Sequence, residues 1–308
     1  MSHVGDRTVA AVDCGTNTVK LLVTRVPSMT DLEREMRMVR LGQDLDRTGR
    51  ISEEALDRAF TALEEYAALL PRHGVEQVRF CATSATRDAA NADEFTAGVR
   101  ERLGVDPEVL TGEEEAALAF EGAVRNLREE VPGPVLVVDV GGGSTELVLG
   151  DPAGGPPVAH SMDMGSVRLH ERHLGSDPPT EAEVAACVAD IDAHLDASPV
   201  EPADARTVVG VAGTNLSLVA GVLDLPAYDR DVIDQSVVDV DEVLALVDRL
   251  VSMTVSERLA LPWMHPGRAD VIDAGALILA RVLRRAGVRT LVASESDILD
   301  GIALSLAP

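Results

Sequence analysis

One phrase occurs twice in this chain of 308 residues. Residues 9–23 read VAAVDCGTNTVKLLV, and residues 135–149 read VLVVDVGGGSTELVL. Superposed, Asp13 meets Asp139, Gly15 meets Gly141, Thr18 meets Ser144 and Leu21 meets Leu147. Each copy is an apolar run ending in Asp, then a small polar turn, then a second apolar run. That is the pattern of two strands joined by a tight turn. Two copies with their aspartates in register suggest two related half-domains whose turns face one cleft.

The rest of the chain alternates in the same way. In the first half we expect strands at 9–25 and near 36–41, and a helix at 52–71 capped by Ser52. A strand at 76–82 then runs into the loop TSATRD. Helix 91–103 opens on Asn91 and Glu94, strand 106–110 follows, and helix 112–129 ends the half. The run VPGPV at 131–135 is a break. In the second half strands are expected at 135–140, 145–150, 157–163, 206–211 and 288–293. Helices are expected at 180–196, opening on the capping pair Thr180 and Glu183, and at 214–223, 240–260, 269–286 and 296–306. Alternation of strands and helices predicts α/β layers, and the hairpin opening each half makes the sheets mixed. The expected domains are 1–128 and 129–308, with the last helix packing back on the first.

Composition excludes several classes. Hydrophobic residues make up 46% of the chain, enough for two packed cores. No apolar run approaches the roughly 20 residues of a membrane helix, so no membrane partner is expected. The N-terminus lacks a signal-peptide core. Cys14, Cys81 and Cys187 are far apart without CxxC spacing, which fits a reduced cytoplasm. A formal net charge of −25 repels nucleic acid and equally repels polyphosphate. A phosphate site here needs local help from backbone N–H groups, a metal ion and a few placed cations. Lys20, beside the first turn, is the single lysine among 27 basic residues.

Three motifs carry chemistry. In DCGTNT (13–18), Gly15, Thr16, Asn17 and Thr18 make either an ordinary hairpin turn or an anion-binding nest. In DVGGGSTE (139–146), Gly141, Gly142 and Gly143 let backbone approach a ligand closely. Asp139 and Glu146 flank that turn, where they could hold a hard cation such as Mg²⁺. In TGEEEAALAF (111–120), Thr111 and Glu114 form a capping box and Glu113 suits the helix dipole. Glu115 is left over, either as a further acid for helix stability or as a general base for water. Arg87 in ATSATRD is a candidate fork for phosphate oxygens. Gly213 and Thr214 in AGTN mark a strand-to-helix turn that could receive an anion or a nucleotide edge. In MGSVRLHERHL (164–174), Arg168 and Arg172 are either solvated surface cations or functional ones, and His170 and His173 form no metal-ligand pattern.

Together these segments, with GRADVIDAGALIL and ASESDILDGIALSL, resemble the Ppx/GppA phosphatase family of exopolyphosphatases and guanosine pentaphosphate phosphohydrolases, in its short actinobacterial form. The resemblance implies two ribonuclease H-like domains of the actin, sugar-kinase and chaperone-ATPase superfamily, with an interdomain active-site cleft. It implies hydrolysis of the terminal phosphate of inorganic polyphosphate, with short chains favoured, or of the 5′-γ-phosphate of pppGpp. Mg²⁺, with Mn²⁺ as an alternative, is the implied cofactor, and a homodimer the implied assembly. By matching motifs, Glu115 takes the place of the general base. Asp139 and Glu146, with Asp13 beside them, hold metal and water. Gly141, Gly142, Gly143, Ser144 and Thr145 form the phosphate cradle, with Thr16, Asn17, Lys20 and Arg87 opposite. The C-terminal run SESDILDG lacks the arginine of the family's SxxALREG and carries Asp300. A kinase of the same superfamily and a non-catalytic polyphosphate or pppGpp sensor are the competing readings.

Overall fold

A computed structural model of the chain describes residues 6–125, 127, 131–151, 154 and 156–307. Two compact units emerge, Met1–Gly122 with Ile298–Pro308, and Ala123–Asp297.

The first unit contains β1 (Arg7–Cys14), β2 (Thr18–Val26), β3 (Thr30–Met38), α1 (Leu45–Thr48), α2 (Glu53–Leu69), β4 (Gln77–Ala82), α3 (Ser84–Asp88), α4 (Ala92–Leu103), β5 (Glu108–Val109) and most of α5 (Gly112–Arg125). The second contains β6 (Val135–Val140), β7 (Thr145–Gly150), β8 (Val158–Met162), α6 (Ser166–His173), α7 (Glu181–Ala197), β9 (Thr207–Val211) and α8 (Ala212–Val222). It continues through α9 (Arg230–Ile233), β10 (Val237–Asp239), α10 (Val240–Ser252), α11 (Val255–Leu259), α12 (Ile272–Ala286) and β11 (Thr290–Ala293). The last helix, α13 (Ile298–Leu304), belongs to the first unit. The division falls within α5. The expected boundary at 128–129, with residues 126, 128 and 129 of the expected helix 112–129, lies outside the described residues, and Leu127 is not helical.

The two sheets repeat one topology. The first runs β3-β2-β1-β4-β5; the second runs β8-β7-β6-β9-β11, with β10 added at the far edge. In each, the opening three strands are antiparallel, and the first of them pairs in parallel with the next strand beyond a helix. This is the ribonuclease H-like order that the family resemblance implies. The apolar runs explain the burial. Along β1, Ala10, Val12 and Cys14 join one core with residues of α2 and α4, while Ala11 turns to the opposite core with residues of α13. A strand covered on both faces has to be apolar throughout.

Several elements differ from the sequence expectation for physical reasons. The expected loop at TSATRD is the helix α3. It has no side-chain N-cap, and its first residue is held by Ser84 Oγ against Thr16 Oγ1 at 2.7 Å. Asn91 does not cap α4. Its amide pairs with the backbone of Ile51 instead, accepting from N–H at 2.9 Å and donating to C=O at 3.1 Å. The expected helix 240–260 is split into α10 and α11, because Thr254 and Glu257 form a capping box that starts a new helix. Helices α1, α6 and α9 and strand β10 lie where the sequence pattern predicts no element.

Helix α13 is seated tightly. Asp300 is buried and accepts from Arg34 on β3 at 2.6 Å, so the acid in SESDILDG is used internally. A Cβ on Gly301 would fall far inside contact distance of the Leu118 carbonyl on α5. Gly301→Ala is therefore expected to cost about 1–3 kcal/mol by overpacking, seen as a lower thermal midpoint. An unchanged midpoint would show that the two helices do not approach this closely.

Candidate active site

The two repeated turns are built alike, and their carbonyl oxygens decide the design. In the first, Gly15 N–H donates to the Thr18 carbonyl at 2.9 Å. The Thr16 carbonyl accepts from Gly42 N–H at 2.9 Å, and the Asn17 carbonyl accepts from Val39 and Arg40 N–H, both at 3.0 Å. In the second, Gly141 N–H donates to the Ser144 carbonyl at 3.0 Å. The Gly141 carbonyl accepts from Ser166 N–H at 2.9 Å, and the Gly142 carbonyl from Val167 and Arg168 N–H at 2.9 and 3.1 Å. Arg168 Nε donates to the Gly143 carbonyl at 2.8 Å. Each loop is thus held by its acceptors. Among the described residues, none accepts from the N–H groups of Thr16, Asn17, Gly142 or Gly143. A loop with held carbonyls and available N–H groups is an anion-binding nest.

Two glycines that sequence reasoning passed over make this possible. A Cβ on Gly42 would collide with the Thr16 side chain, and one on Gly165 would collide with the Gly142 peptide. Each follows the third strand of its unit, in Leu41-Gly42 and Met164-Gly165, so the internal repeat extends beyond the phrase that reveals it. Thr145 adds a further tie, donating its hydroxyl to the Met164 carbonyl at 2.6 Å.

The acids flanking the turns occupy equivalent ladder positions with opposite partners. Asp13 lies across from Lys20, and Asp139 lies across from Glu146. The first pair is an ion pair, Nζ to Oδ2 at 3.6 Å. Lys20 and Asp13, expected at phosphate and metal, are thus engaged with each other. The second pair places two buried carboxylates side by side, with Glu146 Oε1 accepting from the Ser161 hydroxyl at 2.7 Å. Like charges directly opposite are destabilising unless a cation joins them. Two carboxylates beside such a nest fit Mg²⁺, which is commonly held by one or two acids plus water and substrate oxygens. They fit an all-protein cage poorly, and no group of three or more potential ligands is found among the described residues.

Glu114 and Glu115 separate as expected. Glu114 closes the capping box, accepting from Thr111 N–H at 2.9 Å while its own N–H donates to Thr111 Oγ1 at 3.2 Å. These bonds from Thr111 hold its carboxyl below the usual range. Glu115 is buried, and its Oε2 accepts from Arg87 at 3.4 Å. Arg87, expected at phosphate, donates with the same nitrogen to the Leu110 carbonyl at 2.9 Å.

The AGTN turn is largely committed to structure. Asn215 donates to the carbonyls of Val138 and Val211, both at 2.7 Å, tying α8 to β6 and β9. Thr214 is buried, and a Cβ on Gly213 would strike the guanidinium of Arg268. Burial lowers the pKa of that arginine. Ala212, at the start of α8, takes a left-handed φ of 63°. The histidines of α6 face acids: His170 Nδ1 lies 3.1 Å from Asp273, itself bonded to the buried Arg258 at 2.9 Å, and His173 lies 2.7 Å from Asp190.

Comparison with known proteins gives concordant results. The model of the Ppx/GppA phosphatase family matches residues 21–308. Exopolyphosphatase 2 of Mycobacterium tuberculosis is 48% identical over 318 residues, covering 97% of this chain and 98% of that protein. A crystal structure of an exopolyphosphatase-like protein superposes with a TM-score of 0.95 at 42% identity, over 98% of both chains. The Ppx/GppA family member of Aquifex aeolicus superposes with a TM-score of 0.82 at 30% identity, over 98% of this chain and 97% of its own.

The close approach at Gly165 can be tested by itself. Gly165→Ala should push the Gly142 peptide out of place and weaken tripolyphosphate binding at least about tenfold in calorimetry, since small displacements in a binding loop are costly. Gly175→Ala, where a Cβ meets only ordinary contact, serves as the control and should bind normally. Equal affinity in both variants would show that the Gly142 carbonyl does not need to be held.

Proposed function

Because the chain belongs to the Ppx/GppA phosphatase family, we propose that it is an exopolyphosphatase, hydrolysing the terminal phosphoryl group of inorganic polyphosphate. The observation that carries this reading is the division of labour at the start of α5. Glu114 satisfies the helix cap, and the buried Glu115 beside it is not needed for that purpose.

In the reaction, the oxygen of a water molecule bonds to the terminal phosphorus while the bridging P–O bond breaks. The departing chain, shorter by one phosphate, keeps the bridging oxygen. Glu115 orients the water and takes one of its protons, a role worth about 10²–10⁴-fold. The N–H groups of Thr16, Asn17, Gly142 and Gly143 bind phosphoryl oxygens and stabilise charge that moves during transfer, without reorganising themselves. Asp139 and Glu146 would hold Mg²⁺, which when bound neutralises phosphate oxygens and offsets the field of a chain with net charge −25. Lys20, fixed by Asp13, supplies the cation of the first hairpin.

The machinery suits the 5′-γ-phosphate of pppGpp as well as polyphosphate. The three cysteines are free and buried, with Cys81 and Cys187 pushed up to about 12 by burial, so these two thiols are held protonated; a cytoplasmic location is part of the same proposal. A homodimer is the proposed assembly, measurable by light scattering.

Phosphate release from tripolyphosphate, long polyphosphate, pppGpp and ATP tests the reading. We expect polyphosphate to be the preferred substrate, and chelation of divalent ions to abolish turnover. Glu115→Gln should lower kcat by about 10²–10⁴-fold while the protein stays folded. Undiminished turnover in that variant would remove Glu115 from the mechanism.

A further inference from the structure

We propose that Arg87 is a positioning residue that acts through Glu115, not a ligand of the substrate phosphate. The inference rests on the exopolyphosphatase reading and on the packing of α3. One guanidinium nitrogen, Nη1, donates both to the Leu110 carbonyl and to Glu115 Oε2, at 2.9 and 3.4 Å. Leu110 immediately follows β5 and precedes Thr111, whose side chain caps α5. Arg87 therefore bridges the chain entering the helix and the carboxylate on its first turn. It fixes where the carboxylate sits relative to the helix that bears it.

The other end of α3 reaches the first phosphate loop. Ser84 Oγ shares a hydrogen bond with Thr16 Oγ1 at 2.7 Å. Ser84 and Arg87 are three residues apart, about one helical turn. Ser84, Ala85 and Thr86 are all buried, so this turn is packed in place. Helix α3 is thus a short spacer. One end holds a phosphate-loop side chain, the other holds the base, and the distance between them is set by a single turn of helix. Water attack demands that relation, because misplacing the attacking group relative to phosphorus is costly in rate. The arginine also supplies Glu115 with a charge-assisted hydrogen-bond partner.

A double-mutant cycle separates this role from direct phosphate contact. Tripolyphosphate hydrolysis would be measured on the full chain with Mg²⁺ for wild type, Arg87→Ala, Glu115→Gln and the double variant. Acting through Glu115, Arg87→Ala should lower kcat by roughly 30-fold or more and leave KM within about threefold. Added to Glu115→Gln, it should cost less than about threefold, since residues that work as one unit are not additive. Free guanidinium should restore part of the Arg87→Ala rate. A loss equally large in the Glu115→Gln background, or a tenfold or greater rise in KM with kcat intact, would make Arg87 a phosphate contact and overturn the inference. Should Arg87→Ala fail to fold, Arg87→Lys carries the cycle, because an ammonium keeps the charge but not the planar fork. An active wild type with additive losses removes this inference alone. A wild type that releases no phosphate removes the exopolyphosphatase reading, and the inference with it.

Discussion

The backbone hydrogen bonds that hold the loop carbonyls are the constraint on which the site depends. A peptide presents its N–H and C=O in opposite directions, so fixing one fixes the other. In the first loop Val39, Arg40 and Gly42 take the carbonyls of Thr16 and Asn17. In the second, Ser166, Val167 and Arg168 take those of Gly141, Gly142 and Gly143. The peptides that carry the N–H groups of Asn17 in the first loop, and of Gly142 and Gly143 in the second, are thereby fixed, so these donors are preorganised within each loop. Such preorganisation matters especially in a chain with net charge −25, which offers phosphate no long-range attraction.

Two copies of one supersecondary unit differ in the sign of charge at one ladder position. Residue 20 is lysine and residue 146 is glutamate, each opposite an aspartate. The first hairpin therefore pairs opposite charges across its ladder, while the second places two acids side by side. The hydrogen-bonded frame is common to both, so this difference lies in the side chains. The C-terminal helix shows the same economy. Asp300 finds Arg34, and Gly301 lets the helix reach the backbone of α5, which carries Glu115.

Much of this was legible in the sequence wherever the signal was local. The hairpin strands follow from apolar runs around a glycine-containing turn. The boxes at Thr111 and Thr180 follow from Thr-x-x-Glu spacing, and the same spacing at Thr254 marks the break between α10 and α11. What local pattern did not reveal was held by distant partners. The first amides of α6 are satisfied by the carbonyls of the glycine loop, so no capping residue announces that helix. Helix α3 is fixed by Ser84 against Thr16, 68 residues away, and Asn91 is drawn from its cap to Ile51. The destination of Arg87 was equally hidden, since its partners are 23 and 28 residues distant.

The most direct measurement is the response of individual backbone amides to substrate. Nuclear magnetic resonance of the isotopically labelled chain, titrated with a slowly hydrolysed methylene analogue of tripolyphosphate and Mg²⁺, would report each N–H separately. The account predicts that the amides of Thr16, Asn17, Gly142 and Gly143 shift strongly and become protected from exchange. The amides of Val39, Arg40, Gly42 and Val167, already bonded to the loop carbonyls, should change little. Saturable binding that leaves those four loop amides unmoved would contradict it.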